Sequence, residues 1–440
     1  MFNWAGYLHL GMLYIGPEAY RVLTLFVMLI SGLLLHAILV RNASLNSEFI
    51  FYVVVLFLVL PLNSARVALI TLPYALCYFA FFLAWKWIDT RRYPALMLFF
   101  FSFNTNSLLL FYALPMLDLA YRNGYLQNWR LIMRFARNNV AFILCPLVYF
   151  TIKTNFFKPY GLYEGYNQSY NLDDLYFKIL WILADLKEFM LEIHWPTCIT
   201  LIVFTFLITK PPRNMPHTRG TVRISAFLIG NLAIILGSFP YLIVGHVPVF
   251  KEWGSRHQLL LPLGVALTIA AVFFSKNSGM RRLAFSVIIG SALSYNITTY
   301  ISYFIDWNKQ KALVAALARN PKIAKATLVI INDRTKYLNA RNRTYAFYEW
   351  NGIFEQAYGN QGRFVMEPSY LIAYQSGEYD DFFSAHYKAA GFARNGNVST
   401  LLVDITQHKE EMCVNSCNSM FPQFVLGVQS IDIDTEALLQ

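Results

Sequence analysis

Residues 21–40, RVLTLFVMLISGLLLHAILV, hold one arginine, one histidine and no acid over twenty positions. A helix of that length covers roughly 30 Å, the thickness of a bilayer's hydrocarbon core. The same pattern returns at 48–62, 66–85, 93–117, 139–153, 196–209, 224–245, 258–275 and 283–305. A chain built this way is expected to be a polytopic α-helical membrane protein. Composition agrees, because only 14% of its residues are charged, against about 25% in a soluble domain.

The net charge of +11 would suit a nucleic-acid binder in a soluble chain, but its distribution points elsewhere. Residues 1–305 carry +12 and residues 306–440 carry −1. The excess sits in short connections between apolar runs, where Lys and Arg mark cytoplasmic loops. Lys86, Arg91 and Arg92 mark one such loop; Arg122, Arg130, Arg134 and Arg137 a second; Lys210, Arg213, Arg219 and Arg223 a third; Lys276, Arg281 and Arg282 a fourth. No nucleic-acid partner is expected, and the bilayer is the expected environment.

Two of these basic loops flank a single apolar run, 93–117, which cannot cross once and satisfy both. Its middle reads FSFNTNS, with Ser102, Asn104, Thr105, Asn106 and Ser107 in succession among apolar residues. The run is therefore expected to be a re-entrant pair of short helices turning at FNTNS. Polar backbone at membrane depth survives only inside protein or beside a water-filled cavity. A single kinked helix is the alternative. With the re-entrant pair, about eight spans remain, and residues 1–20, the turn NSAR at 63–66, the loop at 154–195, the loop at 246–257 and the C-terminal region all face outside.

Residues 1–20 lack a basic stretch and a cleavage site, so they are expected to be an interfacial segment rather than a signal peptide. Within the long outer loop, 173–195 places Asp174, Lys178, Asp185, Glu188 and Glu192 along one helical face, as an interfacial amphipathic helix does. From about residue 308 charges become frequent. ATLVIIND, TLLVDI and QFVLGVQSI read as strands, and TYAFYEWNGIFEQAYG reads as a helix. The expected organisation is a multi-span domain over 1–305 and a small extramembrane α/β domain over 306–440. Cys77, Cys145 and Cys198 lie in apolar runs as small hydrophobes. Cys413 and Cys417 stand in the polar region, where a disulfide depends on the compartment.

No phosphate loop, dinucleotide fingerprint, zinc-protease motif or nucleophile elbow is present. Chemistry is instead expected at polar clusters on the outer side. In HVPVFKEWGSRH, Lys251, Arg256, His246 and His257 surround one carboxylate, Glu252. Arg and Lys together suit a phosphate or pyrophosphate; equally, they suit interfacial anchoring beside Trp253. In FFKPYGLYEGYNQSYN, Tyr160, Tyr163 and Tyr166, with Asn167 and Glu164, suit a sugar's apolar faces and hydroxyls; an aromatic belt is the bland alternative. The third cluster joins Asn104 and Asn106 of FNTNS to Arg66 of NSAR, although asparagines also cap short helices.

The order of these features resembles the GT-C class of integral-membrane glycosyltransferases over residues 1–305. The resemblance rests on the paired short helices in RRYPALMLFFFSFNTNSLLLFYALP, the long outer loop with its amphipathic helix, and the basic outer loop WGSRHQLLLPLG before a late span. It implies sugar transfer from a polyprenyl-phosphate donor to a glycan, lipid or protein acceptor at the outer face, in a bacterial inner membrane. Arg256, Lys251 and Arg66 would then hold the phosphate, and the tyrosine loop a sugar. A catalytic base normally lies on an acidic loop after a first span. Here Glu18 is the only carboxylate before the first apolar run, which leaves Glu18, Glu164 and Glu252 as candidates. No organic cofactor and no metal site are expected, with a divalent cation left open. A noncatalytic membrane subunit, or a lipid-linked glycan polymerase, ligase or transporter, is the alternative.

Overall fold

The computed structural model describes residues 15–42, 45–68, 71–157, 193–209, 220–244, 253–359, 363–371, 400–407 and 426–432, with the isolated positions 8, 11 and 246. The tyrosine loop, the segment 173–192, Lys251, Glu252 and both C-terminal cysteines lie outside them. The chain divides into two compact units, with the division inside one helix at residues 298 and 299.

In the first unit, α1 (Pro17–Leu39), α2 (Ser47–Val59) and α3 (Leu72–Trp87) are followed by three short helices, α4 (Arg92–Ser102), α5 (Leu108–Phe111) and α6 (Ala113–Arg122). Then come α7 (Trp129–Asn138), α8 (Val140–Phe156), α9 (Trp195–Ile208), α10 (Gly220–Leu242), α11 (Leu261–Phe273) and the start of α12 (Ser278–Ala318). Among the described residues three helices are long and apolar enough to cross a membrane: Glu18–Leu39, Arg223–Leu242 and Ser278–Ala318. A fourth crossing arises if α7 and α8, bent by 63° at their junction, count as one. The sequence runs led to an expectation of about eight. The difference has a local cause, because prolines trim several helices. Pro61 opens a 3-10 turn (Pro61–Val67) directly after α2, and Pro73, Pro196 and Pro262 stand in the first turns of α3, α9 and α11. At 13 residues, α2 and α11 rise only about 20 Å. Lipid-type surface is nevertheless plain on α1, where Val22, Leu25, Phe26, Leu29 and Leu33 are exposed, and on α9, where Ile199, Val203, Phe204 and Leu207 are.

The run 93–117 does fold back. FNTNS interrupts it between α4 and α5, and the far end of α6 returns to the start of α4. Arg122 pairs with Asp89 at 2.8 Å, and Trp85 Nε1 donates to Asp118 at 2.8 Å. At 11 residues α4 is too short to span. Arg41 joins the same end through Asp89, 3.6 Å away, and through the Lys86 carbonyl. There too Arg281 grips Glu48 with two nitrogens, and Arg223 reaches the Phe274 carbonyl at 3.0 Å.

Helices pack closely where glycines permit. A Cβ on Gly264 of α11 would lie 2.7 Å from the Gly230 carbonyl oxygen and from the Ile234 nitrogen of α10. The core is aromatic: Tyr52 stacks on Phe285 at 3.9 Å, and Phe81 packs edge-on against Phe99 at 5.4 Å.

The second unit contains a four-stranded sheet in the order β2-β1-β3-β4, formed by β1 (Leu328–Asp333), β2 (Phe364–Met366), β3 (Thr400–Gln407) and β4 (Leu426–Asp432). β1 pairs parallel with β2 and β3, and β4 is antiparallel at one edge. As expected of a central parallel strand, β1 is apolar on both faces. Val329 and Ile331 pack with Trp350 and Phe354 of a helix, α14 (Phe347–Tyr358), while Leu328 and Ile330 pack with Phe347 and Met366. A four-residue helix, α13 (Pro321–Ala324), precedes β1. The domain boundary expected between residues 305 and 306 falls within α12. α12 continues without interruption to Ala318, because WNKQKALVAALA has neither glycine nor proline to stop it. Its final turns supply Leu313 and Leu317 to the second unit's core.

Buried polar groups in this unit are heavily bonded. Lys309 is fully buried and donates to Asp333 (2.6 Å), the Thr335 carbonyl (3.1 Å) and Asn339 Oδ1 (2.5 Å). Asp306, one turn earlier, accepts from the Ala340 nitrogen at 3.0 Å, from Arg343 and from the Tyr345 hydroxyl.

Candidate functional site

Arg66 and Arg256 are 190 positions apart in sequence, yet they line one cleft. The reason is a contact between two 3-10 turns, Pro61–Val67 and Trp253–Gln258. Buried Ser255 sits at their junction: its hydroxyl accepts from the Ala65 nitrogen at 2.7 Å and from the Ser64 hydroxyl at 3.0 Å. With Ser64 and Ser255 joined, the arginine one or two residues further along each turn faces the same space. Thr24 and Met28 of α1, with Thr71, Tyr74, Ala75 and Leu259, complete the lining. The cleft is narrow. Its total free volume with the open mouth is about 280 Å³, and the enclosed part holds roughly one water.

Arg66 is oriented by a 2.8 Å bond from Nη1 to the Leu58 carbonyl, one of the last carbonyls of α2. Arg21 of α1 reaches the Val67 carbonyl at 3.3 Å and adds a third guanidinium to this end.

Beside Arg256, His257 is 8% exposed. Its ring stacks on His246 with centroids 4.4 Å apart and leans on Tyr241 at 5.1 Å. Burial first, then the Arg256 guanidinium and the His246 ring, push the His257 imidazole down to about 3. It is therefore a neutral ring at physiological pH. Tyr241 in turn shares a 2.8 Å hydrogen bond with Ser107 of FNTNS, so the helix-pair turn and the 253–258 turn are linked through Tyr241. Asn106 is exposed and accepts from Lys153 in the last turn of α8. Asn104 is occupied locally, its amide donating to the Phe101 carbonyl at 2.7 Å, which is the capping role rather than a ligand-facing one.

Of the sequence-predicted residues, the structure brings Arg66, Arg256, His257 and His246 to one region and ties Asn106 to it through Ser107 and Tyr241. Glu18 stands exposed in the first turn of α1. Lys251, Glu252, Glu164, Tyr160, Tyr163, Tyr166 and Asn167 fall outside the described residues. Among the described residues no group of three or more His, Cys, Asp or Glu could hold a metal ion.

Sequence reasoning missed Ser64, Ser255, Tyr241 and Lys153. A serine in a 3-10 turn and a tyrosine near the end of an apolar helix look like ordinary residues until their partners are known. Lys153 had a signal, as the one charge within an otherwise uncharged helix.

The first unit's other described acids, Glu48, Asp89 and Asp118, are taken up in ion pairs with Arg281, Arg41 and Arg122, away from the cleft. Arg21, Arg66, Lys153 and Arg256 stand at the cleft end. Guanidinium pairs of this kind suit a phosphate monoester or diester. No protein-family model, curated protein or solved structure matches this chain.

Proposed function

We propose that the chain is a membrane glycosyltransferase of GT-C type, moving a sugar from a polyprenyl-phosphate carrier to a hydroxyl of a glycan, lipid or protein acceptor. One observation carries this: two arginines from distant turns line a single cleft beside α1, a helix whose outer face is apolar. A lipid-linked phosphate could approach such a cleft along α1, with its chain in the bilayer and its headgroup between Arg66 and Arg256. The side chains must swing apart to admit it, which their length permits.

In the reaction, the bond between the anomeric carbon and the phosphate oxygen breaks as the acceptor oxygen bonds to that carbon from the opposite face, inverting it. The acceptor proton passes to a carboxylate, for which Glu18, Glu164 and Glu252 are the candidates. The arginines stabilise the charge growing on the departing lipid phosphate. His257, neutral and held by stacking, gives Arg256 a rigid apolar flank. The basic end bearing Arg92, Arg122 and Arg281 would lie in the cytoplasm and the cleft on the outer side of a bacterial inner membrane, with about eight crossings once the proline-capped helices are counted.

The test is equilibrium binding of a polyprenyl phosphate to the protein in nanodiscs. Charge-assisted hydrogen bonds contribute about 1.5–3 kcal/mol each, so Arg66→Ala and Arg256→Ala should each weaken binding by about 10- to 150-fold. Wild-type affinity in both variants would remove the phosphate site, and with it the reading.

A further inference from the structure

A second cationic feature lies elsewhere in the first unit and plays no part in the cleft. α7 reads WRLIMRFARN and follows Asn128, whose side chain caps it by accepting from the Leu131 nitrogen at 3.0 Å. On a helical projection Arg130, Arg134 and Arg137 fall within about 60° of one another, and Asn138 extends the same stripe. The opposite side carries Ile132, Phe135 and Ala136. All three arginines are exposed. Among the described residues none of them has a hydrogen-bond or ion-pair partner, and no acid occurs anywhere from 119 to 163. Three like charges on one short stripe repel one another unless something of opposite sign covers them.

The setting of the helix says what that is. α7 meets α8 at 63°, so it turns away from α8 instead of extending it. Its C-terminus is fastened by Arg92, which donates to the Asn138 carbonyl at 3.1 Å and to Asn139 Oδ1 at 2.7 Å. Phe135 is buried and packs on Tyr125 at 5.3 Å. Trp129 is 71% exposed and Met133 53%; they form an apolar edge directly beside the arginine stripe. A charged stripe bordered by an exposed tryptophan, on a short helix bent sharply from its neighbour, is the arrangement of an interfacial helix. In such a helix the apolar edge sits at the acyl boundary and the cations face lipid phosphates.

We infer that α7 is a binding site for anionic phospholipid headgroups, with Arg130, Arg134 and Arg137 as phosphate ligands and Trp129 and Met133 as the acyl-boundary anchor. Each basic residue near an anionic surface contributes about a fivefold gain in affinity, so three together give about a hundredfold. The occupant is a lipid and not an acidic protein, because the apolar edge is contiguous with the charge and both are exposed together.

The experiment titrates phosphatidylglycerol and phosphatidylcholine into the delipidated full chain and counts bound lipids by native mass spectrometry. Three proteins are compared: wild type, Arg130→Gln/Arg134→Gln/Arg137→Gln, and Arg130→Lys/Arg134→Lys/Arg137→Lys. The glutamine triple should bind phosphatidylglycerol about a hundredfold more weakly with phosphatidylcholine binding unchanged, and the lysine triple should stay within about fivefold of wild type. Wild-type phosphatidylglycerol binding in the glutamine triple would overturn the assignment. So would equal loss of both lipids, or a lysine triple no better than the glutamine triple. Loss of a co-purifying acidic protein with lipid binding intact would assign the stripe to that partner instead.

Discussion

Replacing Lys309 by methionine keeps the length of the side chain and removes its charge. Three acceptors lose their donor: Asp333 Oδ2, the Thr335 carbonyl and Asn339 Oδ1. Asp333 keeps two bonds, from the Thr335 nitrogen at 2.8 Å and its hydroxyl at 2.7 Å, but its charge stays buried without a counter-ion. Removing one member of a fully buried pair costs about 3–5 kcal/mol. Replacing both members costs much less, since no orphaned charge is left. The two effects separate in hydrogen exchange of the full chain in detergent, followed on the amides of Val329, Ile330 and Ile331 in β1. Under conditions where exchange reports opening free energy, Lys309→Met should lower protection by about 150- to 5000-fold. Adding Asp333→Asn should restore at least tenfold of that. A fall of less than tenfold in the single variant would refute the reasoning, as would a double variant less protected than the single one.

Acid should weaken the cleft end. The His257 imidazole is held at about 3 in the fold, against about 6.5 when unfolded, so the unfolded chain binds more protons between those values. Stability is full above about pH 6.5 and falls as pH drops towards 3, with about 2 kcal/mol lost by pH 5; thermal midpoints from pH 7.5 to 5.0 should drop less in His257→Gln than in wild type. Gly264→Ala places a Cβ 2.7 Å from backbone atoms of α10 and should lower the midpoint by an amount equivalent to about 1–3 kcal/mol. Gly352→Ala in α14, where the Cβ meets nothing within 4 Å, should be neutral or stabilising by up to about 1 kcal/mol. Ser255→Ala frees the two 3-10 turns from each other and should weaken polyprenyl-phosphate binding about three- to tenfold, with expression and far-ultraviolet dichroism unchanged.

The sequence showed where the apolar runs lie, that FNTNS interrupts one of them, and three of the four strands of the second unit's sheet, the three-residue β2 being too short to leave a pattern. These follow from strong local signals: run length, a cluster of amides, and near-continuous β-branched residues in ATLVIIND. Helix length was less legible, because hydropathy continues smoothly across Pro61 and Pro73 while the helical hydrogen bonding does not. The change in composition near residue 306 marks the start of the polar region and not a helix end, since α12 runs through it to Ala318. Polarity alters at that point, but nothing in the residues stops a helix. At the site, charge made Arg66 and Arg256 conspicuous. The contact that unites them runs through Ser64 and Ser255, and pairings between residues 191 positions apart leave no mark in a single sequence. Asn104 and Asn106 looked equivalent, yet one caps the chain locally and the other takes Lys153.

The most direct measurement is transfer of a labelled sugar from a panel of polyprenyl-phosphate donors to added acceptor glycans and lipids, in nanodiscs, by wild type, Arg66→Ala and Arg256→Ala. Removing one stabiliser of the leaving phosphate should cost about 10²–10³ in turnover. Transfer by wild type with a collapse of at least a hundredfold in both variants is the predicted result. Transfer at the wild-type rate in either variant, or no transfer by wild type from any donor, would contradict it.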